Sequence, residues 1–278
     1  MILTQENYYS KESDMEFMSF SLFKNLMANP ARAMADLRGE YPWFSDNKAL
    51  LIGQYLHSYF ESKEAHEQFI EENKKELISS QGKTKGELKT DFKGAITMIE
   101  RLEKEEAFNM SLLDTEREFI VQGVLRSADE NGEIRDIDWK GKLDAIDIDG
   151  GYFYDFKTVK TLVDNGATWD NELHAKVNFV ISRKYDEQMA IYAELLRQMF
   201  GRELTPVIWA VSKESEPLVK PYLITKPTLD TALQRVIDNQ ITAVNYRDGI
   251  VEAPLYNDGS NFYNYKHRIL TDEDYEYL

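Results

Sequence analysis

Residues 141–160 read GKLDAIDIDGGYFYDFKTVK, and they restrict the fold more tightly than any other stretch. Asp149-Gly150-Gly151 is a turn signal between two runs whose side chains alternate with period two, the pattern of a β-hairpin. With Asp149 and Gly150 as the loop, Ile148 faces Gly151, Ala145 faces Tyr154 and Asp144 faces Asp155. Alternation then gives one face Leu143, Ala145, Tyr152, Tyr154 and Phe156, an apolar set suited to a core. The other face receives Lys142, Asp144, Ile146, Phe153, Asp155 and Lys157. Shifting the turn to Gly150-Gly151 sets Asp144 opposite Lys157 and keeps the three charges neighbours. Opposed Cβ atoms lie roughly 4.5–5.5 Å apart, so two facing carboxylates are destabilising. A solvated face explains such charges in an ordinary hairpin. A cation for the carboxylates, with further chemistry elsewhere in the chain, is the other explanation.

Around this hairpin the pattern changes from strand-like to helical. SFSLFKNLMANPARAMADLRG (19–39) has helical spacing broken at Asn29-Pro30, which predicts two short helices. Residues 48–78 form a long amphipathic helix or a broken pair, 79–90 a polar loop, and 92–108 another helix. Residues 116–160 read as three strands with turns at Glu130-Asn131-Gly132 and Asp149-Gly150. A loop over 161–178 precedes a helix over 182–201, with Gly201 as its C-cap. Strands at 206–214 and 220–225, a helix at 228–249 and a polar, tyrosine-rich tail complete the chain. This order predicts an α/β (α+β) fold with a central mixed β-sheet flanked by helices. The 278 residues are expected to form one domain. Its parts are an N-terminal helical part (about 15–110), a sheet core (about 111–225), and a C-terminal helix and tail (about 226–278).

Composition removes several classes. No apolar run approaches the roughly 18 residues of a membrane span, and MILTQENYYSKESD lacks the basic-then-apolar order of a signal peptide. There are no cysteines, hence no disulfides, iron–sulfur clusters or thiolate zinc sites, which fits a cytoplasmic setting. No glycine-rich G-x-x-x-x-G-K-[ST] phosphate loop occurs. The net charge of −16 repels nucleic acid unless the binding zone is locally basic or metal-loaded. It equally suits a protein that binds cations at acidic clusters.

Two further features converge with the hairpin. His57 closes GQYLH on an early helix, and Gln188 and Tyr192 stand four apart on a later one, with Tyr185 three residues before the glutamine. That spacing puts all three on one helix face. Taken singly, a helical histidine and a half-buried tyrosine stripe are ordinary.

Together the motifs resemble the PD-(D/E)xK nuclease superfamily. Asp144 followed by Asp155-Phe156-Lys157 is similar to its D…(D/E)xK signature. GQYLH resembles the G-x-x-x-H element of the RecB-like branch, and Gln188-Met-Ala-Ile-Tyr192 its Q-x-x-x-Y motif. The N-terminal SFSLFKNLMANPARAMADLRG and ALLIGQYLHSYFE further resemble the phage exonuclease VIII (RecE-type) group. The resemblance spans roughly residues 15–255 and departs from many relatives in lacking a cysteine cluster.

The resemblance implies a restriction-endonuclease-like core and a Mg²⁺- or Mn²⁺-dependent exodeoxyribonuclease acting on linear double-stranded DNA ends in phage-type recombination. It implies Asp144 and Asp155 as metal ligands, with His57 and the Phe156 backbone carbonyl as additional ones. Lys157 then orients or deprotonates the attacking water, and Gln188 and Tyr192 brace the site or contact DNA. Lys83, Lys85, Lys89, Arg183 and Lys184 are candidate phosphate contacts. The implied partners are a single-strand annealing recombinase and further copies of the chain in a trimer or tetramer, with no membrane. A structure-selective endonuclease of the same fold and a non-catalytic DNA-binding module are the competing expectations.

Overall fold

The computed structural model describes residues 1–44, 48–129, 131–170 and 174–267. In chain order the elements are α1 (Lys11–Glu16), β1 (Met18–Ser19), α2 (Phe20–Ala28), α3 (Pro30–Leu37), α4 (Lys48–Glu61), α5 (Lys63–Glu72), α6 (Lys74–Leu77), α7 (Thr90–Glu103) and α8 (Glu106–Ser111). Then follow β2 (Glu116–Ala128), β3 (Ile134–Asp147), β4 (Tyr152–Val159), β5 (Thr168–Asp170), β6 (Ala175–Val177), α9 (Phe179–Ser182), α10 (Tyr185–Phe200), β7 (Thr205–Ser212), β8 (Val219–Leu223) and α11 (Lys226–Arg247). The sheet order is β1-β3-β4-β7-β8, with β2 also beside β3. β1 pairs parallel with β3 and β4 parallel with β7, while β3–β4 and β7–β8 are antiparallel, so the sheet is mixed as expected.

Two compact units share the chain. One comprises Met1–Ser45, Val124–Lys140 and Val236–Leu278; the other comprises Asp46–Gly123 and Gly141–Arg235. In the first, Asn29 ends α2 and caps α3 by accepting from the Arg32 N–H, with Pro30 at the first helical position. Lys140 and Trp139 in its interior are satisfied. Lys140 is 1% exposed, and its ammonium meets the Tyr8 carbonyl and Ser13 Oγ at 2.6 Å each and Asp14 at 2.7 Å. The Trp139 indole donates to Gln240 Oε1 at 2.8 Å.

In the second unit, one sheet face buries Ala145, Tyr154, Phe156, Val207, Trp209 and Val211 against α4, α7 and α8, which supply Leu51, Tyr55, Leu56, Ala95, Met98, Ile99, Leu102 and Phe108. Ser62 breaks the helical stretch after α4 and caps α5, and Asn73 breaks it again, so 48–78 is three helices. Helix α10 begins at Tyr185, after the separate short α9, and ends on Gly201 in the left-handed conformation (φ 68°).

The hairpin β3–β4 keeps the first of the two expected registers, with Ala145 opposite Tyr154, Ile146 opposite Phe153 and Asp147 opposite Tyr152. The loop is longer than Asp149-Gly150, however. Residues 148–151 all turn, the Gly151 N–H donates to the Asp147 carbonyl at 3.0 Å, and the Asp147 carboxylate accepts the Gly150 N–H at 2.7 Å. The solvated-face explanation fails. Ile146 and Phe153 are 1% and 0% exposed, and Asp155 is 3% exposed, because α10 covers that side. Residues 161–178 are not plain loop either, since β5 and β6 form a small antiparallel hairpin there. Part of the expected turn (Glu130) and the end of the tail (268–278) lie outside the described residues. Among the described residues, no helix is long and apolar enough to cross a membrane.

Candidate active site

Every side chain singled out in the four motifs belongs to the second unit, and the fold brings them together. On β3, Asp144 Oδ1 lies 2.8 Å from His57 Nδ1 of α4, across 87 residues of chain. Its other oxygen accepts the Phe156 N–H at 2.5 Å. Phe156 turns its ring to the opposite, apolar face and into the core. On β4, Asp155 Oδ2 forms an ion pair with Lys157 Nζ at 2.6 Å, and Oδ1 accepts from Gln188 Nε2 at 3.3 Å. The same amide donates to the Tyr192 hydroxyl at 3.1 Å, one helical turn further along α10. Tyr185, at the start of α10, lies under the Lys157 ammonium at 4.7 Å. The face shared by Tyr185, Gln188 and Tyr192 is therefore the one laid against the carboxylates.

Tyr192 can sit so low because β3 has no side chain beneath it. A Cβ on Gly141 would stand 2.3 Å from Tyr192 Cε1 and 2.9 Å from a Val121 methyl. Strand β3 carries its glycine where the tyrosine ring lands.

One site residue escaped the sequence reading. Glu118, on β2, offers a carboxylate oxygen that lies with His57 and Asp144 in a group whose ligand atoms are all within 4.8 Å of one another. Its backbone φ is 51°, in the left-handed region, a sparsely populated state for a non-glycine residue inside a strand. Such strain is tolerated where surrounding structure holds it and is frequent at sites of chemistry. Glu118 also pairs with Lys142 at 2.8 Å. Asp155 is not part of this group and is engaged instead by Lys157 and Gln188.

The electrostatics separate the two carboxylates. Burial alone would raise Asp144, but the His57 charge and hydrogen bond, Lys157 and the Phe156 N–H together hold it below its ordinary value. Burial raises Asp155, and the Asp144 charge adds to it; Lys157 opposes, and the carboxyl ends at about 6. Burial would lower His57, yet the Asp144 charge and hydrogen bond push it upward overall. Lys157 likewise stays above the usual lysine range, because Asp155, Tyr185 and Asp144 outweigh its burial. Tyr192 is driven to about 12, chiefly by burial. Two facing carboxylates that cannot both ionise freely make a ready receptor for a cation.

The donor set fits a hard divalent ion. It offers carboxylate oxygens with a single imidazole, the mixture that suits Mg²⁺ or Mn²⁺ rather than zinc. Asp155 Oδ2 is a buried oxygen without a directed hydrogen bond, with only the ion pair to Lys157. With Nδ1 turned to Asp144, His57 leaves Nε2 as the nitrogen free to ligate.

The expected phosphate contacts divide into two groups. Arg183 and Lys184 are exposed at the entrance to α10, next to Tyr185. Lys83 and Lys85 are exposed on the loop after α6, whereas Lys89 is tied to the Lys75 carbonyl at 2.5 Å.

None of the curated proteins matches this chain. Among solved structures, a protein of Eubacterium rectale to which an exonuclease role is ascribed is 30% identical, with a TM-score of 0.80. The match covers 98% of this chain and 95% of that one. A second, SSO0001, is 14% identical over 74% of this chain and 96% of its own, with a TM-score of 0.26 that carries no argument. The PD-(D/E)xK resemblance drawn from the four motifs holds: the chain belongs to the family described as PDDEXK-like domain of unknown function (DUF3799), whose model matches residues 19–255.

Proposed function

We propose that this protein is a divalent-metal-dependent nuclease, and specifically an exodeoxyribonuclease that degrades linear double-stranded DNA from its ends. The observation that carries the reading is the meeting of His57, Asp144, Asp155, Lys157 and Gln188 through contacts of 2.6–3.3 Å on one face of the β3–β4 hairpin. The exonuclease role ascribed to the Eubacterium rectale protein supports the same choice. A retired site kept only for DNA binding has no reason to retain all five groups.

His57, Glu118, Asp144 and Asp155, with the Phe156 carbonyl, would hold Mg²⁺ or Mn²⁺. The bound ion supplies Lewis acidity at the phosphorus and a water of lowered pKa. The chain's own groups do the rest. Lys157 stays protonated because Asp155 and Asp144 surround it, so it offsets charge on the phosphate and positions the nucleophile rather than removing its proton. Gln188 holds Asp155 in place and Tyr192 holds Gln188, so α10 fixes the carboxylate's orientation from outside the sheet. Exposed Arg183 and Lys184 contact the substrate backbone.

The chain's charge of −16 favours an assembly that concentrates its cations on one channel. We therefore include a homotrimer or homotetramer in the reading, a single-strand annealing recombinase as partner, and a bacterial cytoplasmic, phage-type setting. The test is digestion of end-labelled linear, nicked and closed circular DNA with Mg²⁺, Mn²⁺ or Ca²⁺, beside light scattering at micromolar concentration. Linear DNA is expected to be degraded with Mg²⁺ or Mn²⁺ while closed circles survive. Efficient cutting of closed circles by a 32.4 kDa monomer would replace the exonuclease with an endonuclease. Absence of hydrolysis with every ion would end the nuclease reading.

A further inference from the structure

Between the catalytic strand β4 and the brace helix α10 the chain makes an excursion whose small hairpin the proposed chemistry leaves unused. Both of its stems lie at the site. It leaves just after Lys157 and returns at Tyr185, whose ring underlies the Lys157 ammonium. Its charge is also opposite in sign to that of the chain. Residues 158–184 contain four Lys or Arg against three Asp or Glu, whereas the whole sequence has 33 against 49.

Within the excursion, β5 and β6 pair Trp169 directly with Lys176, which puts the two side chains on the same face of the hairpin. Both are exposed, and Trp169 is 60% exposed, while Asp170, Ala175 and Val177 on the other face are half-buried. This reverses the usual patterning of a hairpin. The largest apolar side chain faces water beside a cation, and the small apolar ones face inward. The hairpin is also firmly mounted. Helix α9 packs on β5, Phe179 meets the Tyr222 ring at 5.0 Å, and Asn165 Oδ1 accepts from Lys220 Nζ at 2.5 Å. An exposed indole paired across the strands with a lysine, on a hairpin anchored at its base, suits the stacking of an unpaired base and the pairing of its phosphate.

We propose that Trp169, with Lys176 across the hairpin, is a stacking platform for an unpaired base of the nucleic-acid strand that leads to Asp155 and Lys157. The inference rests on the nuclease reading and adds the substrate feature it recognises, a frayed or single-stranded end. Free DNA ends provide such bases and closed duplex does not, so the platform selects ends.

The test measures binding without turnover. In EDTA, fluorescence anisotropy of a labelled oligo(dT) of about 12 nucleotides is followed with wild type, Trp169→Ala, Trp169→Leu, Trp169→Phe and Lys176→Gln, alongside competition by a covalently closed, relaxed circular duplex. Trp169→Ala and Trp169→Leu are expected to weaken oligo(dT) binding roughly tenfold, since that is the scale of one base–aromatic stack. Trp169→Phe is expected to keep most of the affinity, and Lys176→Gln to lower the salt dependence by about one phosphate contact. The closed circular duplex should compete equally with all variants. Trp169→Leu keeps apolar bulk, so an unchanged melting temperature with lost affinity separates stacking from packing. Wild-type affinity in both Trp169→Ala and Trp169→Leu would overturn the proposal. So would a change in oligomeric state on light scattering, which would identify the indole as a contact to another copy. Linear-DNA cleavage by the wild type is scored separately. If cleavage is intact and affinity is unaffected by the variants, only the platform fails; loss of all cleavage is a failure of the nuclease reading.

Discussion

Gly141 of β3 cedes its side-chain position to Tyr192 of α10: a Cβ there would come within 2.3 Å of the tyrosine ring. Strand and helix are thereby packed at a distance that lets Gln188 reach Asp155, while Tyr192 meets Gln188 one turn along the same helix. The Gly141→Ala variant is expected to displace the ring, slacken the Gln188–Asp155 contact and lower DNA cleavage by at least tenfold. Overpacking costs typically 1–3 kcal/mol, so a loss of several degrees in melting temperature should accompany it. Unchanged cleavage would show that the brace on Asp155 is dispensable.

Lys157 touches Asp155, and that carboxylate, Tyr185 and Asp144 hold its ammonium above the usual lysine range despite its burial. Lys157→Ala should reduce kcat on the order of 10²–10³, the usual loss when one charge-stabilising donor is removed. Near-normal turnover in this variant would remove Lys157 from the mechanism. Circular dichroism should show the fold retained, since the side chain ends at the site and not in the apolar core.

Asp155 gives a pH signature in the absence of metal. Its folded pKa of about 6 exceeds its unfolded value, so the folded state binds the proton more tightly. Its contribution to stability is therefore fully present below roughly pH 4 and lost as pH rises through about 6. Asp144, shifted downward, works in the opposite sense: its contribution is present above its unfolded value and lost as pH falls. Asp155→Asn removes the first effect alone. The metal-free variant should gain stability relative to wild type between pH 4 and 7, by about 3 kcal/mol for a shift of this size. Chemical denaturation across that range measures it, and a pH-independent difference between the two proteins would refute the assignment.

Glu118 is placed to add its carboxylate to Asp144 and the His57 imidazole. Glu118→Gln should weaken Mn²⁺ binding at least tenfold in calorimetric titration and shrink the rise in melting temperature that the ion produces. A variant that binds Mn²⁺ like wild type would leave the cation to His57 and the hairpin carboxylates alone.

How far these features could be read in advance differs from one to the next. The hairpin register was legible because period-two alternation and an Asp-Gly-Gly turn admit few pairings, and the opposition of Asp144 and Asp155 follows from it. That both hairpin faces are buried was also written in the residues, since Ile146 and Phe153 stand among the charges. His57, Gln188 and Tyr192 were legible only through motif spacing, because contacts across 87 and 33 residues leave no local trace. Glu118 left none at all. Its reach depends on one backbone torsion of 51°, and nothing in EREF separates it from Glu116. The β5–β6 hairpin was hidden because strands of three residues are too short for periodicity to register.

The contact between Asp144 and the Phe156 N–H spans 12 residues, and that between His57 and Asp144 spans 87. Chain closure costs entropy that grows with the logarithm of loop length, and hairpins close within about 1–10 μs. The paired carboxylates therefore come into existence with the hairpin itself, as soon as residue 156 can bend back on residue 144. The imidazole must wait for a far longer loop to close. The amide brace waits longer still on a growing polypeptide, because Gln188 is translated 33 residues after Asp155. Synthesis from the N-terminus thus delivers the carboxylates first and their orientation last, and the acidic face of the hairpin stays uncovered until α10 is complete.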